Sequence, residues 1–385
     1  MQPNGTPLLL PSLHIQGFRA FRDLQIPHLG RVNLIVGKNN VGKTTLLEAL
    51  KVYAAGTGAL MELGVLLERR QEIQRASPHE ERAYPFDLQR AFFTTSQDAS
   101  KELRVISISP IGSSEQELKI RLGWRTRVLA KTEGEENLRQ FPLFTEQPPV
   151  DNNDEATVEA ALRIELNARI SRIVTLAAFI DSISRSWRMR PTENEGAHTC
   201  HYVPARGLER NEIGKLWDAI VLTAQEQQVL QALQIIAPEV ERISLVDSPR
   251  GHRGERLALV LKRADSTPEP LSSMGDGMNR IFELALGLAN SRGGAFLADE
   301  FENGVHYSAQ EQLWRFVFEA SSALRVQVFA TTHSWDCIEA FQRAAAAHKE
   351  SGALIRLARD EEEVRATVFN ERDLEILTRE SIEVR

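Results

Sequence analysis

Gly37-Lys-Asn-Asn-Val-Gly-Lys-Thr-Thr45 is the stretch on which the fold turns. An apolar run, Arg31–Val36 (RVNLIV), precedes it. Helix formers follow over Gly42–Ala54, with Leu46, Leu47, Leu50 and Tyr53 on one side. The first run has the character of a strand buried on both faces, and the second that of an amphipathic helix. A glycine-punctuated turn between such elements matches the pattern GxxxxGK[ST]. Gly37 and Gly42 let successive backbone N–H groups turn inward toward phosphate, and the helix N-terminus adds its positive dipole end. Asn39, Asn40 and Thr45 complete this cradle. Lys43 is expected at the β- and γ-phosphates and the Thr44 hydroxyl on Mg²⁺, so the expected ligands are ATP and Mg²⁺.

A second segment, Gly293–Gly304 (GGAFLADEFENG), reads as a buried strand, Ala295–Ala298, that ends in two carboxylates. The C-terminal ends of sheet strands are where α/β folds bind ligands. Asp299 is expected to hold Mg²⁺, directly or through water, and Glu300 to orient or deprotonate the attacking water. Val328–Ser334 (VFATTHS) is another apolar strand ending in a histidine. With that strand beside the one before the glycine loop, His333 is expected at the γ-phosphate. Leu271–Ile281 (LSSMGDGMNRI) places Ser273 and Gly275 at a further helix start, with Asp276 in its first turn. Taken alone, that is either an anion-binding helix end or an ordinary cap.

The last third alternates helix Gly275–Ala289, strand Ala295–Ala298, helix Ala309–Ser321, strand Val326–Ala330, helix Asp336–Ala347 and strand Ala353–Leu357. Such alternation predicts an α/β fold with a parallel sheet. Earlier, Leu13–Phe21, Arg104–Ser109, Glu117–Trp124, Val240–Val246 and Leu257–Leu261 read as strands, and Glu212–Leu233 as two helices. Met61–Arg90 reads as a charged helical stretch broken by Pro78 and Pro85, and Ile173–Ile180 as a buried strand or helix turn. Lys131–Glu155 has no apolar period and a Pro-Pro pair, which predicts a mobile loop. The expected organisation is an ATPase core folded from both chain ends, residues 1–58 and 266–385. Residues 59–265 supply the rest of the core plus a mixed helix and strand insertion.

The 385-residue chain is 42% apolar and 26% charged, ordinary values for a globular protein. Its net charge of −7 gives no overall pull on nucleic acid, so any DNA contact requires a local basic face. Cys200 and Cys337 stand far apart in no metal-ligand spacing, as expected in a reducing cytosol. Leu8–Leu10 is too short for a signal peptide core, and no apolar stretch reaches a membrane span. A cytoplasmic location without membrane contact is therefore expected.

Four motifs in this order resemble the ATP-binding-cassette ATPases of the SMC/RecF/OLD branch. LHIQGFRAFRDL looks like that branch's opening strand pair, and VGKNNVGKTTLLEAL resembles its Walker A. SSMGDG resembles its signature loop, LADEFENGVH its Walker B with D-loop, and TTHS its switch-histidine region. The DE-x-E-x-x-x-H pattern of OLD-like ATPases is matched by Asp299, Glu300, Glu302 and His306. The resemblance implies a homodimer, or a higher even-numbered oligomer, with nucleotide at the interface. Ser273 and Gly275 of one subunit would close over the other's glycine loop, and Glu302–His306 would line the contact. Full-length OLD enzymes continue into a Toprim nuclease domain, for which residues 334–385 leave no room. The resemblance therefore implies an ATPase subunit serving a separate effector, such as a nuclease, in bacterial anti-phage defence. The alternative it leaves open is a RecF- or SMC-like ATPase acting directly on DNA.

Weaker signals remain. Arg185–Arg190, with Trp187 interleaved, is either a nucleic-acid contact or a solvated face with a buried tryptophan. Arg250, Arg253 and Arg256 form a similar loose set, and Arg206 is a phosphate contact or a salt-bridge partner. No guanine-reading NKxD motif and no long heptad run occur. The cassette glutamine is open between Gln89 and Gln97.

Overall fold

The computed structural model describes residues 7–70, 72, 91–92, 105–128, 142–146, 156–185, 195–247, 256–263, 267–348, 351–361 and 363–369. The chain opens as a hairpin, β1 (Leu13–Phe18) and β2 (Phe21–Ile26). The single strand read over Leu13–Phe21 is thus two, the strand pair that the resemblance implied for this segment. Phe18 pairs with Phe21 across a two-residue turn in which Arg19 takes a positive φ of 51°. β3 (Val32–Val36) follows and is buried at every position.

Its neighbours explain that burial. β3 lies inside a six-stranded sheet ordered β16-β15-β3-β14-β13-β9. The partners are β9 (Cys200–Val203), β13 (Ala295–Ala298), β14 (Gln327–Thr331), β15 (Gly352–Asp360) and β16 (Glu363–Phe369). All pairings are parallel except β15 with β16. Alternation then sorts each strand's side chains between two layers. Val32, Leu34, Phe296, Val328 and Ala330 enter one core, and Ile35, Leu297 and Phe329 enter the other.

The second core is filled by α1 (Lys43–Ala54) and α2 (Ala59–Arg69), the expected amphipathic helix and the start of the expected charged one. A seven-stranded antiparallel sheet closes that side. It extends β1 and β2 with β4 (Val105–Ser109), β5 (Leu118–Val128), β6 (Pro142–Thr145), β7 (Ala156–Leu166) and β8 (Arg169–Thr175). Two expectations are corrected here. Pro142–Thr145, inside the expected mobile loop, pairs with β5 over Trp124–Arg127; the ladder hydrogen bonds outweigh the missing period. The apolar run Ile173–Ile180 divides between β8 and α3 (Leu176–Arg185), so it is both strand and helix.

The first core is covered by α4 (Arg210–Ile220), α5 (Ala224–Gln234), α6 (Asp276–Asn290), α7 (Tyr307–Leu324) and α8 (Trp335–Ala345). A small sheet of β10 (Val240–Asp247), β11 (Arg256–Lys262) and β12 (Glu269–Pro270) lies near it. All but β12 match helices and strands expected from the sequence. Among the described residues no single helix is long and apolar enough to cross a membrane. α1 and Gly56–Arg69 pass that test only as a pair bent by 119°. Apart from Glu146, the rest of the expected loop lies outside the described residues, as do the proline-broken part of Met61–Arg90, Gln89, Gln97, Ser186–Arg190, Arg250 and Arg253.

Candidate active site

Four parallel strands, β3, β14, β13 and β9, end on the same side of the sheet, and each releases a functional segment there. From β3 comes the glycine loop, with Gly37 at φ 147°, Asn40 at 61° and Gly42 at 109°. Gly37 cannot be replaced, since a Cβ there would stand 2.4 Å from the Leu357 carbonyl oxygen of β15. Lys43, only 6% exposed, turns its ammonium back over the loop. Its Nζ donates to the carbonyls of Gly37 (2.8 Å) and Lys38 (3.0 Å), and to His333 Nδ1 at 3.3 Å. Burial lowers the Lys43 pKa, opposed by the charges of Asp299, Glu300 and Glu302. An ammonium can only donate, so His333 Nδ1 is the acceptor and the ring proton sits on Nε2. That Nε2 faces Glu300 Oε1 at 3.6 Å, beyond hydrogen-bond range.

Asp299 follows β13 and is the centre of the polar contacts. Thr44 Oγ1 donates to its Oδ2 at 3.0 Å, and Thr331 Oγ1 to its Oδ1 at 2.6 Å. The Tyr202 hydroxyl, from β9, donates to Oδ2 at 3.4 Å. Burial, with the Asp299 charge behind it, pushes the Tyr202 hydroxyl above its usual pKa. Glu300 comes next with a positive φ of 48°, a backbone form that disfavours a non-glycine residue by about 1–2 kcal/mol. Its N–H is held by Thr331 Oγ1 at 2.8 Å, and Phe301 stacks on Trp314 at 3.9 Å. The chain thus dives back into the core after Glu300 and leaves that carboxylate outward, 42% exposed. Glu302 Oε1 accepts the N–H groups of His333 (3.0 Å) and Ser334 (3.2 Å), which fixes the loop carrying the histidine.

Arg280 fastens the strand ends. It is 5% exposed and donates to the carbonyls of Asp299 (2.6 Å), Glu300 (3.0 Å) and Pro204 (2.8 Å). Arg280→Met would strand three carbonyls in the interior. A loss of about 3 kcal/mol is expected, read as a lower midpoint in urea unfolding; an unchanged midpoint would show that the clamp carries no load.

Ser273 and Gly275 stand elsewhere. They precede α6 on the surface, with nothing within 4 Å of a Cβ added at Gly275. Neither is a hydrogen-bond partner of Lys43, Thr44 or Asp299 among the described residues. Behind them, Gly277 lies against the Gly304 carbonyl, 2.7 Å from an added Cβ. Gly277→Val is expected to force α6 from this turn at about 1–3 kcal/mol, seen as a lowered thermal midpoint. His306 caps α7, accepting the Ser308 N–H. Arg206 is 66% exposed and pairs with Glu209 at 3.3 Å, while Arg256 is tied to Asp218 at 2.8 Å.

Thr44 and Asp299 offer a hydroxyl and a carboxylate, an oxygen-only pair that suits Mg²⁺. Such an ion takes one or two protein ligands and completes its shell with phosphate and water. Among the described residues no three His, Cys, Asp or Glu cluster as a metal cage.

Sequence reading missed Tyr202, Thr331 and Arg280 at this site. Arg280 alone carried a local signal, a charge on the apolar face of a helix, where burial demands partners.

A phosphate cradle, its lysine, a carboxylate and a histidine meeting at adjacent parallel strand ends define an ABC-type P-loop ATPase. The chain belongs to the family described as "AAA domain, putative AbiEii toxin, Type IV TA system", whose model matches residues 32–336. Membership makes it an ATPase of the AAA type and implies ATP binding, typically with Mg²⁺. The fold resembles the crystal structure of the SMC head bound to the C-winged helix domain of ScpA. That likeness covers 94% of this chain and 98% of the other, with 12% identity and a TM-score of 0.52. An ATP/GTP phosphatase of Helicobacter pylori is 23% identical over 86% of this chain and 87% of its own length. An uncharacterized protein of Methanocaldococcus jannaschii is 38% identical over 61 residues, which span 16% of this chain and 28% of that protein.

Proposed function

We propose that this protein is a nucleotide-switched ATPase subunit that hydrolyses ATP with Mg²⁺ as a closed homodimer. In this reading Lys43 and the cradle Gly37–Thr45 hold the phosphates, and Thr44 and Asp299 hold the metal. Glu300 activates water and His333 senses the γ-phosphate. One observation carries the dimer: the cradle, Asp299, Glu300 and His333 converge within one chain, whereas Ser273 and Gly275 lie open at a helix start away from them. An exposed, positively polarised helix end is complementary to a phosphate presented by a second subunit.

Mixing tests it. Lys43→Ala and Ser273→Arg proteins are each expected to be inactive. Their mixture forms heterodimers with one intact composite site and regains part of the turnover. A mixture that stays inactive overturns the shared site.

The Asp299-Glu300-x-Glu302-x-x-x-His306 pattern supports placement in the OLD-like branch, and with it a role controlling a separate effector, such as a nuclease, in anti-phage defence. A tagged Glu300→Gln protein, pulled from its native host in Mg-ATP with and without nuclease treatment, tests this role. A second polypeptide that survives nuclease treatment supports the effector reading. Nucleic acid alone in the untreated sample replaces it with direct action on DNA.

A further inference from the structure

Tyr202 sits on β9, the strand beyond Asp299's own, and nothing in its tetrapeptide Cys200–Val203 suggests a site. In the fold β9 pairs parallel with β13, Tyr202 aligning with Leu297 and Val203 with Ala298. The Asp299 N–H donates to the Val203 carbonyl at 2.9 Å. This adjacency brings the Tyr202 hydroxyl to Asp299 Oδ2. The ring itself is held from other elements. Lys51 Nζ of α1 lies 5.7 Å from its centroid and Arg69 of α2 5.6 Å, both within cation–π range. Lys51 is in turn tied to Glu62 of α2 at 2.6 Å.

A carboxylate's terminal torsion is soft, with no strong rotamer well to set its plane. Hydrogen bonds must set it instead. Oδ1 is held by Thr331. Oδ2 is held by Thr44 and Tyr202. On the proposed function, on which this inference rests, Thr44 gives its hydroxyl oxygen to the cation. Thr44 can keep donating its proton while a lone pair binds the ion, so among the described residues Tyr202 is the donor to Oδ2 that is not itself a metal ligand in this reading.

We infer that Tyr202 is a positioning residue for the metal carboxylate, holding the Asp299 plane in the orientation that receives Mg²⁺ while α1 and α2 hold the tyrosine ring. It makes no contact with nucleotide in this role. Its effect is therefore confined to the metal-dependent part of nucleotide binding.

The test is Tyr202→Phe, which keeps the ring beside Lys51 and Arg69 and removes only the hydroxyl. ATP binding to the full-length protein is measured by calorimetry in EDTA and across a MgCl₂ titration, beside wild type, with thermal midpoints for both. The variant is expected to match wild type in EDTA and in thermal midpoint. Its Mg²⁺ concentration for half-maximal enhancement rises about tenfold, the usual scale for losing a partner of a metal ligand. Superimposable Mg²⁺ titrations overturn the inference. An equal loss of affinity in EDTA also overturns it, by showing a structural role. A wild-type protein whose ATP binding ignores Mg²⁺ overturns the metal site itself, an outcome visible before the variant is compared.

Discussion

Lys43→Ala is expected to abolish turnover and to weaken ATP binding by about 10- to 100-fold. The ammonium is buried at the mouth of the loop and spends its donors on the Gly37 and Lys38 carbonyls and on His333. Those neutral acceptors give way readily to a polyphosphate, which offers charged oxygens and stronger hydrogen bonds. A charge-assisted bond of this kind contributes about 1.5–3 kcal/mol, which sets the affinity loss. The effect on rate is larger, because charge develops on the transferred group where water is scarce. Loss of one such donor removes about 10²–10³ from kcat. Alanine keeps the helix start, and Gly37 and Gly42 still shape the loop, so the fold is retained. Equilibrium binding of ATP and steady-state phosphate release check the two parts separately. Turnover at wild-type level in this variant would sink the site assignment.

Glu300→Gln is expected to lower turnover by about 10²–10⁴, the range for removing a general base, while ATP binding survives. The basis is geometric. Asp299 is bound into the interior by three hydroxyls, whereas Glu300 makes no side-chain hydrogen bond among the described residues and faces outward beside His333. Glutamine keeps its size and leaves the Glu300 backbone bond to Thr331 untouched. With hydrolysis blocked, ATP remains on the protein and the closed dimer of the proposed function accumulates. Light scattering with and without Mg-ATP reads the dimer, and single-turnover phosphate release reads the chemistry. A variant that turns over normally assigns the base elsewhere, with Glu302 excluded by its bonds to the His333 and Ser334 amides.

Much of this site was legible before any tertiary contact was known. Gly37–Thr45 is a contiguous segment whose conformation is local, set by two glycines at positive φ and the start of α1. Asp299, Glu300 and His333 could be read because each ends an apolar run, and strand ends in a parallel sheet face one side. The elements that escaped were short or paired to a distant segment. Cys200–Val203 is four residues long and lacks a period. Pro142–Thr145 lies in a polar stretch and owes its conformation to β5.

The sequence by itself determined the class: a phosphate cradle, a carboxylate pair and an α/β alternation, all written in local patterns of glycine, charge and apolar period. Only the tertiary structure decided how Asp299 is held. Its partners Thr44, Tyr202 and Thr331 are 255, 97 and 32 residues away, and Arg280 reaches three carbonyls just past the ends of two strands. Which strands lie side by side follows from burying apolar faces on both sides of the sheet. That is a property of the whole chain, and no window of residues around Tyr202 contains it.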